Sequence, residues 1–125
     1  MGQSSGTVLV VDDENLLRWS ISRRLAAAGF SVIESETGLR VFDLPTTDVD
    51  LVLLDYRLPD TSGLEVLRRL RERGFTKSVI MMSAFTTSDV VEQAKRLGAK
   101  DVITKPFDIE SLLSRVSAEI ASELH

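Results

Sequence analysis

Leu51-Val52-Leu53-Leu54-Asp55 sets an unbroken apolar run against a single carboxylate. A strand with one face in water alternates apolar and polar residues, whereas a continuous run of this length fits a strand covered on both faces. Four other strand-sized runs share the character: Thr7 to Val11, Ser31 to Ile33, Val79 to Met82, and Val102 to Ile103. Between them the period becomes that of a helix. Leu17, Ile21, Leu25 and Ala28 line one face of the first helix, which Gly29 stops in a left-handed conformation. A short second helix runs from Gly38 to Leu44 and is closed by Pro45. Leu64, Leu67 and Leu70 mark the third, with Ser62 as its cap and Gly74 after it. Val90, Ala94 and Leu97 mark the fourth, ending at Gly98, and Asp108 caps a fifth whose stripe is Ile109, Leu112, Leu113, Val116 and Ile120. Strand and helix alternating five times with short links predict one α/β domain, a doubly wound five-stranded parallel sheet flanked by five helices with right-handed crossovers.

The 125 residues, 43% of them hydrophobic, suit a single core able to remove roughly two-thirds of the unfolded surface from water. A formal charge of -4 argues against nucleic acid or an anionic membrane as the main partner. Arg68, Arg69, Arg71 and Arg73 crowd one helix, but Glu65 and Glu72 interleave with them, so a solvated face is expected there. The absence of cysteine removes disulfides and thiolate chemistry and fits a reducing compartment. No run reaches the roughly 18 to 20 apolar residues that a membrane span needs, so a soluble, cytoplasmic protein is expected. Residues 1–6 read as a flexible leader, in which Gly2 satisfies part of a myristoylation pattern without functional weight, and residues 7–125 read as the domain.

Ligands of such sheets bind outside the carboxyl ends of the strands. There stand Asp12-Asp13-Glu14 after the first strand, Asp55 after the third, Ser83 after the fourth, and Thr104-Lys105-Pro106 after the fifth. Taken singly, each has an ordinary explanation: an acid capping the first helix, a turn residue, a satisfied hydroxyl, a solvated lysine. Taken together, three carboxylates at one sheet edge repel one another and call for a compensating cation or shifted pKa values. Oxygen donors without Cys or His select Mg²⁺ or a similar hard ion. A lysine and a hydroxyl alongside complete a site for phosphoryl transfer, in which the remaining carboxylate is the nucleophile.

These residues resemble the receiver domain of bacterial response regulators, the CheY-like family. The resemblance runs from Thr7 to about Ile120 and rests on Val10-Val11-Asp12-Asp13-Glu14, Leu53-Leu54-Asp55-Tyr56, Leu58-Pro59-Asp60-Thr61-Ser62-Gly63-Leu64, Met82-Ser83-Ala84 and Lys105-Pro106-Phe107. It implies a flavodoxin-like strand order of 2-1-3-4-5 and a cis peptide bond between Lys105 and Pro106. It implies that Asp55 accepts a phosphoryl group from the phosphohistidine of a sensor histidine kinase. Mg²⁺ would be bound directly by Asp13 and Asp55, through water by Asp12, and by the backbone carbonyl of Arg57. Lys105 would pair with the phosphoryl oxygens, and Ser83 would swing toward them after transfer. That swing would shift the surface formed by the fourth helix, fifth strand and fifth helix, signalling to an output domain or downstream protein, or driving a homodimer.

Several positions depart from, or refine, the family pattern. An aromatic residue commonly stands where Val102 does, so activation is expected to rest on Ser83 and the loop from Ala84 to Ser88 without a ring gate. Arg57 and Phe85 fall at two positions said to tune hydrolysis, and their bulk predicts a long-lived aspartyl phosphate. Leu16-Leu17-Arg18-Trp19 resembles receivers of the NtrC type, attached to activators of the sigma-54 polymerase. No ATPase or DNA-reading segment occurs within these residues, so direct nucleic-acid binding is not expected. Three rival readings are a small phosphatase with a carboxylate nucleophile, a pseudo-receiver that binds partners without being phosphorylated, and a flavodoxin-like cofactor binder. The first lacks a second acid at Arg57 and a cap, the second is opposed by the complete set of Asp12, Asp13, Asp55, Ser83 and Lys105, and the third lacks a phosphate-cradling loop. The domain is therefore expected to act only on its own phosphorylation state, not as an enzyme.

Overall fold

A computed structural model describes residues 5–123; residues 1–4 of the expected leader, with Gly2, and residues 124–125 of the expected domain lie outside the described residues. The strands are β1 (Thr7–Val11), β2 (Ser31–Ser35), β3 (Leu51–Asp55), β4 (Ser78–Ser83) and β5 (Asp101–Thr104), and the helices α1 (Asn15–Ala27), α2 (Gly63–Glu72), α3 (Ser88–Arg96) and α4 (Ile109–Glu123). All strand pairs are parallel, in the order β2-β1-β3-β4-β5. Among the described residues no helix is long and apolar enough to cross a membrane.

The continuous apolar runs divide between two cores, one on each face of the sheet. Val8, Val10, Leu51, Leu53, Ile80 and Met82 meet Ile21 and Leu25 of α1 and Leu112, Val116 and Ile120 of α4. Leu9, Val11, Val52, Leu54, Val79 and Met81 meet Val66, Leu67 and Leu70 of α2 and Ala94 of α3. Strand alternation supplies both faces from the same run, which is why residues 8–11, 51–54 and 79–82 are apolar throughout. At the edge, β2 leaves Ser31 and Glu34 exposed. Ala28 likewise lies exposed, beyond the buried face of α1.

Five α-helices were expected, and the described residues hold four. The segment from Gly38 to Leu44 forms a 3₁₀ turn over Leu39–Asp43, and a second 3₁₀ turn follows at Thr46–Asp48. Seven residues give too few backbone bonds to offset helix nucleation, and Pro45 drives Leu44 into extended backbone. Asp60 holds the turn from outside, accepting the N–H groups of Gly38 and Leu39 at 2.9 and 2.9 Å. The surface expected from the fourth helix, fifth strand and fifth helix therefore corresponds to α3, β5 and α4.

Ser62 caps α2 by accepting the N–H of Glu65 at 3.1 Å, and Asp108 accepts that of Ser111 at 3.1 Å. Gly29 carries a φ of 97°, the left-handed conformation expected where α1 stops. The N–H of Ser5 donates to Gly29 O, and Gly6 O accepts from Ser31 N–H, each at 2.9 Å. The arginine-rich face of α2 is part solvated and part structural. Arg68 and Arg69 pair with Glu65, while half-buried Arg71 donates to three backbone carbonyls.

Candidate functional site

Register brings the polar strand ends together. Val11 stands opposite Leu54 in the β1–β3 pair, so the next residues, Asp12 and Asp55, emerge side by side. Asp55 is in register with Met82, one residue before Ser83, and Ser83 with Thr104, one residue before Lys105. The Lys105 N–H donates to the Ser83 carbonyl at 2.8 Å, and the Lys105–Pro106 peptide bond is cis. Gly63 closes the loop after Asp55: a Cβ there would collide with the carbonyl oxygen of Asp55, so only glycine allows α2 to start this close.

Asp12 and Asp55 are almost fully buried, at 0% and 5% exposure, while Asp13 is exposed. One carboxylate oxygen from each lies within 4.8 Å of the others. Lys105 Nζ sits among the acids, 2.9 Å from Asp12 Oδ2, 3.1 Å from Asp55 Oδ2 and 3.2 Å from Glu14 Oε1. Burial, then the charge of Asp12, pushes the Asp55 carboxyl up to about 6, although Lys105 and the backbone N–H of Arg57 act against them. Burial would lower the Lys105 ammonium, but the hydrogen bond and charge of Asp12, followed by Asp55, outweigh it and hold the group above its ordinary value. A cluster of three carboxylates with an oxygen-only donor set and one lysine fits a hard divalent cation.

A cleft of about 210 Å³ opens over the cluster, lined by Asp13, Asp55, Arg57, Ser83, Phe85 and Lys105 among others. The structure thus gathers Asp12, Asp13, Asp55, Ser83 and Lys105 at one sheet edge. Ser83 is buried, and its hydroxyl is engaged in its own loop, donating to Phe85 O at 2.8 Å and accepting from Phe85 N–H at 3.0 Å. Val102 does not line the cleft; it is half-buried against the core beneath α2 and α3. The Arg57 guanidinium lies over the Phe85 ring, 5.0 Å from its centroid, and both residues line the cleft.

The ordinary role for Asp12, capping α1, does not apply: Glu14 occupies the cap position without a side-chain bond, and Asp12 Oδ1 accepts the Glu14 N–H at 2.9 Å. Two contributors escaped the sequence reading. Glu14 is a third acid on Lys105, and Arg18 donates to the Asp12 carbonyl at 2.6 Å. Adjacency to the acidic pair could have signalled Glu14; nothing in the sequence distinguished Arg18 as a partner of Asp12.

Residues 8–117 match the family described as the response regulator receiver domain. The chain belongs to that family. This receiver is 36% identical over 117 residues to the DNA-binding transcriptional regulator NtrC of Klebsiella pneumoniae, covering 93% of the chain and 25% of that protein. It is 33% identical over 110 residues to sporulation initiation phosphotransferase F of Bacillus subtilis, covering 87% of the chain and 89% of that protein. The receiver domain of the Francisella response regulator 1452 superposes with a TM-score of 0.88 at 26% identity, over 94% of this chain and 98% of that one. The chain spans about a quarter of the length of the NtrC regulators it matches, at 25% in each case.

Proposed function

We propose that this receiver is a phosphoacceptor switch in which Asp55 is the residue phosphorylated. The observation that carries the reading is a buried carboxylate at the end of the central strand β3, 3.1 Å from the Lys105 ammonium and within 4.8 Å of two further acids. The donor is the phosphohistidine of a sensor kinase: a carboxylate oxygen of Asp55 attacks phosphorus, the N–P bond breaks, and the imidazole leaves with the bonding electrons. Mg²⁺ would be held by Asp13 and Asp55, with Asp12 and the Arg57 carbonyl as further donors, and would supply neutralising charge for the transferring oxygens. Lys105 stays close enough to Asp55 to pair with a phosphoryl oxygen. Ser83 leaves its bonds with Phe85 to donate to another, which would move the loop from Ala84 to Ser88 and bias the surface of α3, β5 and α4. An output domain or downstream protein reads that surface, whether directly or through a homodimer, in the cytoplasm.

Incubating the chain with Mg²⁺ and acetyl phosphate should add one phosphoryl mass, and Asp55→Asn should abolish the gain. No gain in the wild type would instead favour an interaction module that is not phosphorylated. Arg57 and Phe85, stacked in the lining of the cleft, restrict the approach of water to the aspartyl phosphate. Replacing both with Ala should shorten its lifetime several-fold; an unchanged rate of phosphate release would refute the shielding.

A further inference from the structure

We propose that Arg18 is a positioning residue for the cation site: its guanidinium fixes the Asp12–Asp13 peptide and thereby aims the Asp13 carboxylate at Asp55. The inference rests on the reading of Asp12, Asp13 and Asp55 as the Mg²⁺ cluster.

Asp12 needs no help to stay in place. Its N–H donates to Ser35 O at 3.1 Å, its Oδ1 accepts from Glu14 N–H at 2.9 Å, and its Oδ2 accepts from Lys105 Nζ at 2.9 Å. Asp13 is the opposite case. It is exposed, and among the described residues its carboxylate has no hydrogen bond or ion pair, yet an oxygen of it reaches the cluster. Without a side-chain partner, the Cα–Cβ direction from which its carboxylate reaches the cluster is set by its backbone.

That backbone is held from one side. Arg18 Nη1 donates to the carbonyl oxygen of Asp12 at 2.6 Å, and that oxygen shares a rigid plane with the N–H of Asp13. Turning the plane, which would swing the Asp13 side chain away from Asp55, breaks the bond. The guanidinium is itself anchored at two other points, by Nε to Glu34 Oε1 at 2.9 Å and by Nη2 to Asn15 Oδ1 at 2.8 Å. Its side chain is 13% exposed. Three acceptors in fixed directions suit a planar fork and not a lysine ammonium.

Electrostatics and positioning predict opposite signs. Removing a positive charge beside a cation site should tighten Mg²⁺ binding; removing the clamp should loosen it. The measurement is calorimetric titration of the whole chain with MgCl₂ at fixed ionic strength, with melting curves to verify folding. Arg18→Met should weaken Mg²⁺ about ten-fold, the lower end of the range for residues that orient metal ligands. Arg18→Lys should weaken it too, and provides the same comparison should the Met variant not fold. In an Asp13→Asn background the Arg18 substitution should change the affinity by less than about two-fold, because the residue it aims is already disabled. Unchanged or tighter binding in both Arg18 variants would overturn the inference, as would the full loss persisting in the Asp13→Asn background. A wild type that binds no Mg²⁺ would overturn the reading of the cluster itself, and one that binds Mg²⁺ and phosphorylates normally while the Arg18 variants match it would overturn only the positioning role.

Discussion

At the amino ends of β4 and β5, Arg71 donates to the carbonyls of Phe75, Lys77 and Gly98 at 2.7, 2.9 and 2.9 Å, and Ser78 gives its N–H and hydroxyl to Glu123 Oε1 at 2.8 and 2.6 Å. At the carboxyl ends of β1 and β3, one lysine is set among three acids, and the Asp55 carboxyl is pushed up to about 6. The first end satisfies polar groups that the turns leave open. The second concentrates like charge where water is scarce. The same five strands thus separate the work: the fold is tied together at one edge, and the opposite edge holds a cluster of like charge that costs stability.

Disrupting the tied edge should have the larger effect. Arg71→Leu strips partners from three carbonyls and should cost about 2–3 kcal/mol, at about 1 kcal/mol per bond, read as a lower urea midpoint at unchanged slope. A loss below the error of the melt would mean that water replaces the guanidinium freely.

Relaxing the charged edge should act in the other direction. Without divalent ions at pH 7.5, Asp55→Asn should stabilise the chain by about 1–2 kcal/mol, a figure reduced for solvent at the open cleft. The sign follows from the raised carboxyl. Above about 6 the folded chain carries a charge it disfavours; as pH falls through that value it takes up a proton before the unfolded chain does, so the wild type gains stability and is fully relieved below the ordinary value near 4. The advantage of Asp55→Asn should therefore vanish by about pH 4. An advantage independent of pH would show that charge crowding is not its source.

The smallest effect should come from Val102, which lies beside neither edge cluster. In the proposed switch, where Ser83 and the loop from Ala84 to Ser88 carry the response, Val102→Tyr should leave partner affinity unchanged in both the phosphorylated and unphosphorylated states. A large gain in coupling would show that an aromatic gate is needed after all.

The strands were legible because burial on both faces leaves a continuous apolar run, and the capping roles of Ser62 and Asp108 because capping is local chemistry. The acids could be grouped before any coordinates because parallel strands send their carboxyl ends to one edge. Long-range contacts were not legible. Glu34 and Ser35 look like loop residues, yet they extend β2, since an edge strand tolerates polar residues. Arg18 stands in the sequence only within Leu16-Leu17-Arg18-Trp19, and its partner Glu34 lies on another element. The segment from Gly38 to Leu44 has helical spacing but too few residues to sustain a helix, and the carboxylate that secures it, Asp60, comes from beyond β3.

That last contact gives the molecule a built-in reporter. The 3₁₀ turn has few bonds of its own, among them Val41 N–H to Gly38 O at 3.2 Å, so the amide protons of Gly38 and Leu39 owe their protection to Asp60. Asp60 sits in the loop that leaves Asp55 for α2. Any rearrangement of that loop is thereby transmitted to the hydrogen-exchange rates of two amides on a different part of the chain, where it can be read without a label near the chemistry.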